Sequence, residues 1–147
     1  MDWSQLTLDD ISQLAPEGKA MLELRQVNLN KDAGYVTFRF SVKDYEDPKP
    51  TSYTDGAKFA PVNHTIFIVR KDGDKAEVDE EQLARVIRLL TNGDPSLRNT
   101  SLEQLCTLQV KSTYTAMLQH KQGKDGRTYV NVKELRPHNL VISSPPM

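Results

Sequence analysis

His64, His120, His138 and Cys106 are the side chains most able to ligate a metal or attack a carbonyl, and their spacing supports neither. The histidines are scattered, with no His-Glu-x-x-His pair and no carboxylate at ligand spacing. His64 lies in a strand-like run and is expected to be a satisfied core or edge residue. Cys106 stands alone, so the chain has neither a disulfide framework nor a thiolate cluster; between Leu105 and Thr107-Leu108 it reads as core. Asp72-Gly73-Asp74 opens like a calcium loop, but Ala76 stands where the next ligand belongs. Gly123-Lys124-Asp125-Gly126-Arg127-Thr128 lacks the spacing of a phosphate loop and joins two strand patterns, so a hairpin turn is expected there. No serine sits in a Gly-x-Ser-x-Gly elbow, and a helix dipole suffices to explain Glu80-Glu81. The expectation is a chain with no catalytic residues, no metal and no cofactor.

A different chemistry is spread over the strand patterns. Tyr35 and Arg39 project from one strand, Tyr129 and Lys133 from another, and Lys111 from a third, with Arg127 in the adjoining turn. Strands that bury one face and offer tyrosine, lysine and arginine on the other suit a single-stranded nucleic acid. Bases stack on aromatic rings for about 1–3 kcal/mol each, while cations neutralise phosphates. Tyrosines are also ordinary strand residues and lysines ordinary edge charges, so no one of these residues decides the matter. Residues 44–61 hold a second set of candidates, Tyr45, Lys49, Tyr53, Lys58 and Phe59, in a stretch interrupted by Pro48, Pro50, Gly56 and Pro61. Loops of that length in compact domains are functional or disordered.

The elements that must position these side chains follow from periodicity. Ala20, Leu22 and Leu24 alternate inward, then the pattern slips to Val27 and Leu29, which predicts a bulge near Arg25-Gln26. Asn30 to Gly34 is a turn, and Tyr35 to Val42 is a strand with Val36, Phe38, Phe40 and Val42 on one face. Val62 to Arg70 predicts a third strand, apolar on both faces at its centre and therefore covered twice. Asp72-Gly73 turns the chain. Asp79 caps a helix carrying Leu83, Val86, Ile87 and Leu90, which Asn92-Gly93 ends; a shorter helix follows around Ser101 to Leu105. Leu108 to Leu118 and Thr128 to Leu135 alternate as strands, with Val130 and Val132 inward and Tyr129, Asn131 and Lys133 outward. At the start, Thr7 to Leu14 has the pattern of a short capped helix.

With 147 residues the chain is long enough for one real hydrophobic core, and its composition is that of a globular protein. The net charge of -1 conceals asymmetry: residues 105–147 carry six Lys or Arg against two acids, whereas Asp72 to Glu81 carries six acids and Lys75 alone. Such asymmetry permits a basic binding face. No apolar run approaches the ~20 residues needed to span a bilayer, and Met1-Asp2-Trp3-Ser4 is not a secretory start. A cytoplasmic location, in the host cell if the chain is viral, and no membrane partner are expected.

Three strands, a helix and two strands is the order of a mainly β, five-stranded OB-like barrel with its helix between strands three and four; an open α+β sheet would show the same order. One domain is expected over 1–136, with 1–17 as an acidic N-terminal segment and 137–147 as an extended tail. Asp2-Trp3-Ser4, Leu14 to Lys19, Ser101 to Leu105 and Asp125 to Val132 leading to Arg136-Pro137 together resemble a family of small phage and prophage proteins. That resemblance implies an OB-fold single-stranded DNA binder of replication and recombination modules. It touches both ends of the chain and leaves roughly 44–80 unmatched. Cys106-Thr107 stands where the family has a glycine, and Ser143 to Met147 lacks the acidic tip common in bacterial single-strand binders. The expected function is thus sequence-tolerant, non-catalytic binding of single-stranded DNA, with oligomeric state open, a dimer included. The rival expectation is a protein-interaction module using the 44–61 loop or the tail.

Overall fold

The computed structural model describes residues 14–51, 53, 59–91, 94–97, 99–108 and 112–137. The expected first helix, Lys58, Lys111, Asn92-Gly93 and the tail from 138 lie outside the described residues. Strands β1 (Gly18–Asn30) and β2 (Tyr35–Tyr45) form a long antiparallel hairpin. Leu24 pairs with Phe40 and Gln26 with Arg39, so Arg25 is the extra residue of a bulge where the alternation slips. The bulge keeps Val27 opposite Phe38 and Leu29 opposite Val36, so the inward face continues past the slip.

The turn between these strands depends on Gly34. Its φ of 75° is left-handed, and a Cβ there would lie 2.6 Å from Val69 Cβ. Gly34 N–H donates to the Asn30 carbonyl at 2.8 Å, and its own carbonyl accepts from Ile68 N–H at 2.9 Å. The turn is therefore bonded to the chain leaving β3 (Val62–Phe67).

Val62 to Arg70 is not the single, doubly covered strand that its composition predicts. β3 ends at Phe67, Ile68 turns into the core, and the chain continues as a hairpin of β4 (Val69–Asp72) and β5 (Lys75–Val78). Every residue from Arg70 to Val78 is exposed, and Phe67 is 60% exposed. Only one face of β3 is covered: Val62 and Ile66 are buried, and Asn63, Thr65 and Phe67 are out.

Helix α1 (Glu80–Thr91) starts where expected, with Gln82 N–H donating to Asp79 Oδ1 at 3.2 Å. Val86, Leu89 and Leu90 are buried, with Leu83 and Ile87 packed at the margin. After a 3-10 turn at Pro95–Leu97, α2 (Leu102–Thr107) is capped by Ser101, whose hydroxyl accepts from Gln104 N–H. Because α2 runs to Thr107, β6 spans Thr113–Gln122, later than the Leu108 to Leu118 expected. Tyr114, Ala116 and Leu118 nevertheless face inward as the alternation requires. β7 (Thr128–Pro137) has a bulge of its own: Glu134 takes a φ of 54°, and Leu135 is buried where unbroken alternation would bury Glu134.

The five long strands form one antiparallel sheet in the order β3-β2-β1-β6-β7. Its inner face, from Ala20, Leu22, Val36, Phe38, Phe40, Tyr114 and Leu118, packs with α1 and Leu105 of α2 into one core. The mainly β expectation holds. The barrel expectation is corrected: β3 and β7 approach each other, but among the described residues no ladder joins them. Nor does a single helix link strands three and four, since a β-hairpin and two helices lie between β3 and β6. No helix among the described residues is long and apolar enough to cross a membrane.

Candidate nucleic-acid interface

Strand register places nine side chains on the outer face of β1, β2 and β3 in three rows. Asn30, Tyr35 and Phe67 make the first, Asn28, Thr37 and Thr65 the second, and Gln26, Arg39 and Asn63 the third. Successive rows are about 6.6 Å apart along the strands. None of the nine carries a carboxylate. Tyr35 and Phe67 meet edge to face, with ring centroids 5.3 Å apart. Asn30 Nδ2 donates to the Tyr35 hydroxyl at 3.2 Å, and the hydroxyls of Thr37 and Thr65 are 3.1 Å apart. Arg39 is exposed and forms no hydrogen bond or ion pair within the described residues. Two aromatic rings, four amides, three hydroxyls and one unneutralised guanidinium can stack on bases, bond to their edges and hold one phosphate.

Tyr35 and Arg39 therefore share this face, but the structure does not bring the β7 candidates to it. The ladder between β1 and β6 ends at Glu23, short of the rows that hold Gln26, Asn28 and Asn30. Lys133 lies opposite Met117, itself opposite Lys19, and Tyr129 lies opposite Lys121 near the far end of β6. Tyr129 is outward as expected and 50% exposed, yet it is fastened to its turn. Its hydroxyl donates to Asp125 Oδ2 at 2.6 Å, and its ring covers Gly123, where a Cβ would meet it at 2.5 Å. That bond raises the Tyr129 phenol and, with the Arg127 backbone N–H, lowers the Asp125 carboxyl. Arg127 is only 4.0 Å from Asp125 across open solvent, a weak pair. Lys121, Lys124 and Arg127 are exposed at this end with Lys133 further along β7, a second basic stretch, while Arg136 lies opposite Thr115 at the other end of the ladder.

The 44–61 candidates are mostly structural. Tyr45 is 2% exposed and donates to the Pro16 carbonyl at 2.6 Å, so it cannot meet a ligand. Tyr53 and Phe59 pack on it, with ring centroids 5.5 and 6.1 Å away. Lys49 Nζ lies 4.7 Å from the Tyr53 ring centre and 3.1 Å from Asp44 Oδ1. The Tyr45 backbone N–H, Lys49 and the Tyr53 hydroxyl together lower the Asp44 carboxyl.

Two other expectations change. His64 is not satisfied among the described residues: its Nε2 is buried without a hydrogen-bond partner there. Cys106 is only half-buried, though burial still raises its thiol. Sequence reasoning missed Phe67, Asn28, Asn30, Asn63 and Gln26. The polar alternation of Asn63 and Thr65 signals an outer face, and extending it by two residues places Phe67 there. No protein-family model, no curated protein and no solved structure matches the chain.

Proposed function

We propose that this chain binds single-stranded nucleic acid, DNA in the first instance, without catalysis and with little sequence preference. The observation that carries this is the carboxylate-free array on β1, β2 and β3, with Tyr35 and Phe67 at one end and Arg39 at the other. Stacking and phosphate neutralisation both tolerate any base, which suits coating more than sequence readout. Modules of the OB type use the face of strands two and three for oligonucleotides, and β2 and β3 carry this array in an open sheet. The basic end at Lys121, Lys124, Arg127 and Lys133 is a secondary contact for the same strand. A role in phage-type replication or recombination rests on the family resemblance alone, and a cytoplasmic setting on the lone Cys106.

Fluorescence anisotropy with an unstructured oligonucleotide, at low and moderate salt, tests this. Saturable binding that weakens with salt and exceeds binding to duplex DNA is expected. Equal or better duplex binding overturns the single-strand preference. Absence of binding to either favours a protein-interaction module, for which the β4–β5 hairpin, exposed from Arg70 to Val78, is a better contact than the 44–61 loop.

A further inference from the structure

Beyond the outer face, a cleft opens between the edge strand β3 and helix α1. It is lined by His64, Arg70, Asp79, Gln82 and Arg85, with Thr65 and Phe67 at its rim. Gln82 and Arg85 are three residues apart on α1 and so share a helix face. Two of these groups lack the partners such groups ordinarily have. His64 Nε2 is buried with no acceptor or donor, and Arg85 has no hydrogen bond or ion pair within the described residues. Arg70 is matched by Asp79, with Nε 3.6 Å from Oδ2. The cleft therefore keeps one net positive charge, from Arg85. Burial and the Arg85 charge hold the His64 imidazole neutral, leaving it one N–H to donate.

We propose that this cleft is a binding site for a phosphate group. A cation would be repelled by the net positive charge at Arg85, and an apolar ligand would leave Nε2 unbonded. A tetrahedral anion can accept from Arg85 and the Gln82 amide at once, and from His64 Nε2, which has no exposed surface as the ring stands, when the ring turns toward the cleft, a set of directions a planar carboxylate meets less well. β3 is an edge of the sheet, so Phe67 and Thr65 belong both to this cleft and to the outer-face array. A nucleotide base resting on Phe67 would carry its phosphate to the cleft. A strand end and free phosphate in solution are the two sources of this group, and they are separable.

Inorganic phosphate is titrated into the full chain while NMR follows the His64 imidazole and Arg85 Nε signals. Saturable shifts of both are expected. Arg85→Gln should weaken binding about tenfold or more, because a charge-assisted contact is lost. Arg88→Gln, which removes the same charge one turn further along α1, beside Arg85 but outside the lining of the cleft, should weaken it far less. If Arg85→Gln fails to fold, Gln82→Ala takes its place. An oligonucleotide bearing a 5′-phosphate that binds tighter than its unphosphorylated twin, with the gain lost in Arg85→Gln, assigns the group to a strand end. No such gain, with inorganic phosphate still saturating, assigns it to a free phosphate. The site is overturned if phosphate gives no saturable shift, if Arg88→Gln weakens binding equally, or if acetate binds as well. Phosphate binding without any oligonucleotide binding would sustain this site while removing the proposed function.

Discussion

Tyr35 and Phe67 face each other across β2 and β3 at an interplanar angle of 68°, one half-buried and the other open to solvent. Their division of labour follows from that geometry. Phe67 offers the larger free ring, and Tyr35 holds it in place while its hydroxyl accepts from Asn30. Phe67→Ala is expected to weaken single-strand binding by about 1–3 kcal/mol, one lost stack, with little change in stability. Tyr35→Ala should cost both, since it also removes a half-buried ring and the hydroxyl that accepts from Asn30. Anisotropy titrations paired with chemical denaturation separate the two quantities. Parent-like binding by a folded Phe67→Ala protein would show that bases do not stack there.

Arg39 and Arg25 provide a matched pair for counting phosphate contacts. Arg39 is unpaired in the array, whereas Arg25 is 3.1 Å from Glu23 and bonds Ser41 at 2.7 Å. Arg39→Gln should flatten the slope of log affinity against log salt by about 0.7, the value for one single-strand phosphate. Arg25→Gln should leave the slope nearly unchanged. Equal effects would mean that the guanidiniums act only through net charge.

Tyr129 and Lys133 test whether the basic end of β6 and β7 contributes. Because no register row connects them to the array, Tyr129→Ala and Lys133→Gln should weaken short oligonucleotides less than Phe67→Ala does. Their effect should grow with oligonucleotide length. A loss independent of length would make this end the primary site.

Gly34→Ala should destabilise the fold by at least about 1–2 kcal/mol, from the left-handed backbone alone. The clash with Val69 adds to this, because Val69 begins the chain bonded to the same turn. Urea denaturation reads the loss. A neutral result would show that the turn and the start of β4 can separate without cost.

Tyr114 is fully buried on β6, and its hydroxyl donates to the Leu89 carbonyl, tying the sheet to α1. Burial raises its phenol from 10.0 to about 12. The folded state therefore keeps a proton that the unfolded chain loses first, so stability is intact below pH 10 and falls as pH rises through about 12. Tyr114→Phe should cost about 0.5–1.5 kcal/mol near neutral pH, for one hydrogen bond, and make the alkaline decline shallower. Thermal melts across that range check both; an unchanged decline would assign it to other groups, Tyr45 foremost, whose phenol is also raised by burial.

The strands and the caps were legible in the residue pattern because their causes are local. The slip from Leu24 to Val27 marked the Arg25 bulge, Asp79 and Ser101 marked helix starts, and the period of two assigned Tyr129 and Lys133 outward. What local pattern could not carry was anything requiring two distant segments. Ile66-Phe67-Ile68-Val69 reads as one buried strand, and only the bonds from Ile68 and Val69 to Gly34 break it after Phe67 and turn that ring to solvent. Tyr45 reads as a loop candidate, yet Pro16, Tyr53 and Phe59 enclose it. The grouping of candidates was likewise decided by register. Alternation fixes which face a side chain takes, but the pairing of β1 with β2 from Ala20 to Asn30 and with β6 from Gly18 to Glu23 decides its neighbours. Hence Arg39 joins Gln26 and Asn63, while Lys133 joins Met117 and Lys19. A face is a property of one strand's own geometry, whereas a site needs the free energy of packing to choose among registers.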